Sequence, residues 1–352
     1  MSTCPLLACK ALEDAMRSSS TKANIMKNKK RALRKGYEMR TSGEDNDGAG
    51  HDEELRRISN WFLQHDLAGT RTMKVLRESL DQVLDGPRTG RFRYTDLRKT
   101  EKTHVGTIVE INLGKEFDLS DGTKMDYSIS GIDVDCKYSM SMWGWEFPLE
   151  SVGHLVLLTW ADDSVSRWSA GLWRVNESHL QRGGNRDKKR KMLKSGRDGI
   201  VWLWRDCPLD ENLLLHLDPE ETDAILSQRS GMQSLNELFR RVQQRIVRRE
   251  VVLTVGQQKD SPRRARQTRE RKHLGKEGIV VLGHYEWDVN VAARLNLPVP
   301  RSGEWVSARV VPDPGAVDWF FEVDGVRWRL ATGADAVVTA PVIPRSRALS
   351  TE

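Results

Sequence analysis

"KMDYSISGIDVDCKYS", residues 124–139, alternates by twos: Met125, Tyr127 and Ile129 interleave with Asp126, Ser128 and Ser130, then Ile132, Val134 and Cys136 with Asp133, Asp135 and Lys137. A period of two sends successive side chains to opposite faces of a strand, so the apolar set can meet a core while the charged set projects together. Ser130-Gly131 between the two runs suits a two-residue hairpin turn. Folding there brings Asp126 toward Asp135. Two carboxylates so close repel each other unless a cation lies between them, and oxygen ligands of this kind suit Mg²⁺ better than zinc. Lys137 would stand beside whatever that cation activates. A solvated strand face shows the same alternation, so the motif needs support from the rest of the chain.

The 352 residues carry 38% hydrophobic and 30% charged side chains, enough for two folded domains with tails. The formal charge of +6 favours a polyanionic partner. Four cysteines, at 4, 9, 136 and 207, form neither paired CxxC spacing nor a zinc-like cluster, which points to a reducing cytoplasm. No signal-peptide core and no run of about eighteen apolar residues occurs, so a membrane-spanning role is not expected.

Residues 1–50 read as a basic, flexible tail, from "KNKKRALRKG" to "TSGEDNDGAG". Order is expected from about 51. Leu55, Ile58, Trp61 and Phe62 repeat at helical spacing, as do Met73, Leu76, Leu80, Val83 and Leu84 before Gly86. A third helix opens at Thr100-Glu101, its apolar face Val105, Ile108, Val109, Leu113 and Phe117 leaving Glu110 on the flank. From there its carboxylate could reach over the hairpin. "HLVLLTW", "RWSAGLWRV" and "IVWLW" follow as strands, giving an α/β domain over 51–206. Between them, residues 182–194 carry seven cations against Asp187 alone, and Arg182, Arg186, Lys188, Lys189 and Arg190 are candidate phosphate contacts.

"DCPLDEN" begins a linker over 207–217, and a second domain spans 218–345 before a short tail at 346–352. Asp218-Pro219-Glu220 starts one helix, and Ser234 to Glu237 caps a longer one, "LNELFRRVQQRIVRR", with Leu235, Leu238, Phe239, Val242 and Ile246 as its stripe. "VVLTVG", a long loop and "GIVVLG" then read as a two-stranded wing after a helix-turn-helix. Residues 240–276 hold 13 Lys and Arg against Glu250, Asp260 and Glu270, a local +10, which marks Arg240, Arg241, Arg245, Arg263, Arg264 and Arg266 as candidate DNA contacts. "FFEVDGVRWRL" reads as a hairpin turning at Asp324-Gly325, its aromatics placed in a core.

Taken with "GRFRYTDLRKTEKTHVGTIVEINL" and "NELFRRVQQRIVRREVV", the spacing of Glu110, Asp126 and Asp135-Cys136-Lys137 resembles the NaeI family of type II restriction endonucleases from about residue 55 to 345. The resemblance implies a PD-(D/E)xK mixed sheet with flanking helices, followed by a winged-helix α+β domain like that of the catabolite activator protein. By that likeness Glu110 is the helical glutamate, Asp126 and Asp135 are the acids and Lys137 the lysine. Met125 stands where a proline often precedes the first acid. Asp126, Asp135 and the Cys136 carbonyl would hold Mg²⁺, Glu110 completing a second metal shell directly or through water, with 5′-phosphate ends produced. A homodimer on double-stranded DNA would follow from cutting both strands of a palindrome, a second DNA copy binding the second domain as effector. The alternatives are a winged-helix regulator with an inactive first domain and a repair or junction nuclease with the same core.

Overall fold

The computed structural model describes residues 52–344 apart from 259, 271 and 316, so the expected tails at 1–50 and 346–352 lie outside the described residues. Backbone contacts divide the chain into two units, one of residues 52–80 and 100–210 and one of 81–99 and 211–344. The first boundary departs from the expected 51–206 domain, since residues 81–99 group with the second unit. At the other end the last strand continues through Pro208, with Cys207 buried, because its backbone is still paired to Arg167 and Trp168. Leu213 and Leu214 are then buried in the second core, so 207–217 is not a free linker. Among the described residues no helix is long and apolar enough to cross a membrane.

The first unit opens with α1 (Glu53–His65), N-capped by Asp52, whose Oδ1 accepts from the Leu55 amide at 3.0 Å. The expected apolar residues Ile58 and Phe62 face the core. Gly69, at φ +73, makes the turn into α2 (Thr70–Leu84); a Cβ there would lie 2.8 Å from both Trp168 and Trp204, so a side chain is excluded on two grounds. On α2 the guanidinium of Arg77 pairs with Asp163, both almost fully buried. Helix α3 (Lys99–Phe117) buries Val105, Ile108, Val109, Leu113 and Phe117, the face that its periodicity specifies.

Six strands follow in one mixed sheet whose spatial order equals their chain order: β1 (Ser120–Asp121), β2 (Tyr127–Ile129), β3 (Ile132–Ser139), β4 (Leu155–Asp162), β5 (Arg167–Arg174) and β6 (Val201–Pro208). All neighbours run antiparallel except β3 and β4, which are parallel. A parallel pair needs a crossover. Residues 140–154 supply it, crossing above the sheet through a short strand at Glu146–Phe147 and a 3₁₀ turn at Leu149–Ser151. Trp145 and Phe147 from this crossover pack with Val156, Leu158, Trp160 and Trp173. Covering both faces of β4 explains why "LVLLTWA" is continuously buried and, but for Thr159, apolar and not alternating.

In the second unit α4 (Pro219–Leu226) begins at Asp218-Pro219 as expected, but α5 (Gly231–Arg241) opens earlier than the expected cap at Ser234: Ser230 caps it, its hydroxyl accepting from the Gln233 amide at 3.4 Å, and Ser234 is buried within the helix. The expected helix over 235–249 stops at Arg241. Val242 leaves helical geometry, Gln244 is left-handed (φ +59), and β7 (Val247–Arg248) is already extended. "VVLTVG", expected as a strand, is instead the body of α6 (Arg249–Gly256), and the expected long loop contains α7 (Ser261–Gln267). Both misreadings have one cause. Val251, Val252, Val255 and Ala265 belong to a single apolar cluster with Leu235, Leu238 and Phe239, and this burial outweighs the β preference of valine. The unit continues with β8 (Ile279–Leu282), α8 (Glu286–Arg294), β9 (Glu304–Pro312), β10 (Phe321–Val323) and β11 (Val326–Leu330). Strand β9 pairs antiparallel with β7, β8 and β11, and β11 with β10. The Asp324-Gly325 turn has both residues at positive φ, and Phe321 and Trp328 are buried, as the sequence indicates.

Candidate active site

Turn chemistry builds the site. Ser130 (φ +53) and Gly131 (φ +77) both adopt left-handed backbone, the geometry of a two-residue hairpin turn. That turn sets the register Tyr127 to Val134, Ser128 to Asp133 and Ile129 to Ile132, and one step further places Asp126 against Asp135. The two carboxylates share one donor. The Cys136 amide lies 2.7 Å from Asp126 Oδ2 and 3.0 Å from Asp135 Oδ1. Asp133 goes elsewhere: its carboxylate accepts from the amides of Thr123 (3.0 Å) and Lys124 (2.8 Å), which close the loop before β2 and hold its pKa below the usual carboxylate range. Nor is the charged edge solvated as the alternation suggests, because the 140–154 crossover leaves Asp135 only 4% exposed.

Burial, followed by its hydrogen bond to Asp135 and the repulsion of that carboxylate, pushes the Asp126 pKa up to about 7, against the Cys136 amide and Lys137 acting the other way. Lys137 Nζ forms an ion pair with Asp135 Oδ1 and donates to the Cys136 carbonyl at 3.1 Å. A single ammonium therefore touches two of the three oxygens expected to meet a cation. The Cys136 thiol is buried, which raises its pKa and leaves the backbone carbonyl as the donor this residue offers.

Glu110 lies on α3, partly buried. Burial raises its pKa, Lys137 counteracts this and Asp135 adds to it, so the three groups share one electrostatic neighbourhood. Among the described residues no three acidic, histidine or cysteine side chains converge closely enough to hold a metal by themselves. The pair of Asp126 and Asp135 is accordingly the nucleus of the site, with Glu110 at its edge. Two further residues went unnoticed in the sequence. The Tyr127 hydroxyl donates to the Glu110 carbonyl at 2.6 Å, tying α3 to the hairpin, and Ser151 Oγ donates to Asp135 Oδ2 at 3.0 Å. Tyr127 reads as an apolar strand residue and Ser151 as a polar residue in a connection; no local spacing flags either.

The basic segments divide by their pairing. Arg182, Arg186, Lys188 and Lys189 are exposed on a tight turn, closed by the Asn185 amide on the Lys189 carbonyl at 2.9 Å, and enter no ion pair among the described residues. Arg190 is partly buried and bound to Glu177 at 3.0 Å. In the second unit Arg240 is held by Glu237 and by Glu277 at 2.7 Å, Arg241 by Glu237 at 2.5 Å, and Arg245 by Glu211 at 2.9 Å. Their charge is thus largely answered within the fold. Helix α7 differs: Arg263 is exposed, and Arg266 lies with its guanidinium 5.9 Å from the Tyr285 ring centre. Both line a cleft of about 340 Å³ with Gln267 and Tyr285. Arg264, on the same helix, pairs with Asp260 at 2.8 Å.

The family model described as restriction endonuclease NaeI matches residues 56–339. The chain is also similar to the type II restriction enzyme NaeI of Lentzea aerocolonigenes, at 47% identity over 306 residues, covering 84% of this chain and 96% of that relative. The family match takes in the hairpin, α3 and the whole second sheet.

Proposed function

Because the chain belongs to the NaeI family of restriction endonucleases, we propose that it is a type II site-specific deoxyribonuclease that cuts both strands of duplex DNA at the Asp126–Asp135 hairpin. The observation that carries this is the pairing of two carboxylates around one amide with a lysine ammonium on the second of them.

The donor set fits Mg²⁺. Two carboxylates and a backbone carbonyl are hard oxygen donors, and Mg²⁺ habitually takes one or two carboxylates and completes its shell with water and substrate phosphate. Asp126, Asp135 and the Cys136 carbonyl would hold it, with Glu110 reaching it through water. When bound, Mg²⁺ polarises the scissile phosphate and acidifies water. Lys137 does the rest from the protein side. Its ammonium, beside Asp135, orients the attacking water and offsets the negative charge that grows on the phosphoryl oxygens. Cleavage releases a 5′-phosphate and a 3′-hydroxyl. Unmodified phage DNA should be cut into discrete fragments in Mg²⁺ and remain intact in EDTA. Uncut duplex beside cut four-way junctions would favour a repair nuclease, and DNA binding without any cutting would favour a regulator.

For the second unit we propose a winged helix that binds a further DNA copy. The supporting pattern is α5, the short strand β7, the helix pair α6 and α7 joined at 257–260, and strands β8 and β9. On this reading α7 is the helix presented to DNA, and Arg263 and Arg266 are its contacts in place of the salt-bridged Arg240, Arg241 and Arg245. A homodimer supplies two active sites related by twofold symmetry. Replacing Arg263 and Arg266 together by Ala should abolish the stimulation of single-site plasmid cutting by a short cognate duplex, and lower basal cutting by less than about threefold. Equal stimulation of the double variant and the unaltered protein would remove the effector role from α7.

A further inference from the structure

Ser151 is pinned from several sides. Its amide donates to the Pro148 carbonyl at 3.1 Å, its own carbonyl accepts from His154 at 3.0 Å, and the residue is 1% exposed. A hydroxyl shut away from water must find an acceptor or lose the free energy of a hydrogen bond. The one it finds is Asp135 Oδ2, across the crossover from β3. Asp135 thereby has both oxygens committed: Oδ1 to the Cys136 amide and Lys137, Oδ2 to Ser151. Asp126 accepts one backbone bond, on Oδ2. The two carboxylates consequently differ in freedom. Without the Ser151 bond Asp135 would be held at Oδ1 alone, whereas with it both oxygens, and so the plane of the carboxylate, are set before any ligand arrives. Partners that hold a ligating carboxylate in place commonly matter 10–100-fold to metal affinity.

We propose, on the metal-dependent nuclease reading above, that Ser151 is a positioning residue that presets the Asp135 carboxylate for a divalent cation. At 1% exposure it acts through that carboxylate. Its contribution should appear in cation affinity and not in the chemistry once the cation is bound, because a saturating cation itself imposes the carboxylate orientation.

Ser151→Ala, Ser151→Thr and Ser151→Cys in the full chain test this. Ca²⁺ binding is followed by calorimetry and cleavage is titrated with Mg²⁺. For Ala, Ca²⁺ affinity is expected to weaken about 10–100-fold and the Mg²⁺ midpoint to rise in step, with the rate at saturating Mg²⁺ within about threefold of the unaltered protein. Thr, which keeps the hydroxyl, should stay close to Ser in affinity, and Cys, nearly isosteric with a weak donor, should fall between. Should the Ala variant be insoluble, the Cys variant carries the comparison. Unchanged Ca²⁺ affinity in Ala or Cys, or a fall in maximal rate at an unchanged Mg²⁺ midpoint, overturns the assignment while leaving the nuclease reading intact. Failure of the unaltered protein to bind Ca²⁺ and to cut in Mg²⁺ would overturn both.

Discussion

Asp126→Asn should reduce DNA cleavage by about three orders of magnitude, the several kcal/mol that a lost metal ligand costs in transition-state stabilisation, and should raise the melting temperature at pH 8. The two effects have one origin. Asp126 is a carboxylate held next to another carboxylate, its pKa moved from 3.8 to about 7 chiefly by burial. An acid with a raised folded-state pKa binds protons more tightly folded than unfolded. The folded state therefore loses stability as pH climbs from about 4 to about 7, and the cost is fully present above that window. Three pKa units would amount to about 4 kcal/mol, but Asp126 is only partly buried and solvent screening reduces this to about 1–2 kcal/mol. Asparagine carries no charge at any pH. Its amide oxygen can still accept from the Cys136 N–H, and its NH₂ can donate to Asp135, so both hydrogen bonds survive without the repulsion. In EDTA at pH 8 the variant should melt about 2–6 °C higher, and the gain should vanish near pH 4. A variant that melts lower than the unaltered protein at pH 8, or cuts within tenfold of its rate, would show that the carboxylate is neither repelled nor used.

That such a pair could be located from sequence reflects how local its determinants are. Ser130-Gly131 fixes the turn, the turn fixes the register, and the register brings Asp126 to Asp135; all of this lies within residues 126–135. The helix bearing Glu110 was legible for a similar reason, since its buried face repeats every three to four residues without interruption. What stayed hidden is whatever the 140–154 crossover contributes. It buries Asp135 in the middle of the charged strand face, and it delivers Ser151 to Asp135 from sixteen residues away, a distance over which no periodicity speaks. In the second unit the same blindness misplaced α6 and α7. Valine-rich "VVLTVG" favours a strand by intrinsic preference, and only the apolar cluster it joins makes it a helix. Charge counting also found the basic region without saying which arginines are engaged: Glu237, one turn back on the same helix, meets Arg240 and Arg241, while Glu277 and Glu211 come from elsewhere in the chain to meet Arg240 and Arg245.

Lys137→Met should also abolish cleavage, yet shift cation binding and stability in directions opposite to one another. The ammonium sits on Asp135 Oδ1 and within 3.1 Å of the Cys136 carbonyl, so a divalent cation using those oxygens must both displace it and endure its charge. At an effective dielectric near 20, an ammonium and a divalent cation about 4 Å apart repel by roughly 8 kcal/mol, and a lysine that can swing toward solvent or phosphate relieves most of that. Methionine, which keeps the length of the stem without the charge, should therefore tighten Ca²⁺ binding about tenfold, or about 1.4 kcal/mol. In EDTA the same variant should be less stable by about 1–3 kcal/mol, since Asp135 is 4% exposed and loses a charged hydrogen-bond donor that nothing replaces. Saturating Ca²⁺ should restore that stability, because the added cation takes over the neutralisation that the ammonium provided. DNA binding in Ca²⁺ should remain within a few-fold of the unaltered protein, separating loss of chemistry from loss of substrate. Weaker Ca²⁺ binding by the Met variant would mean that Lys137 organises the cation's ligands and does not compete for them; cutting at near-normal rate would remove the lysine from the chemistry altogether.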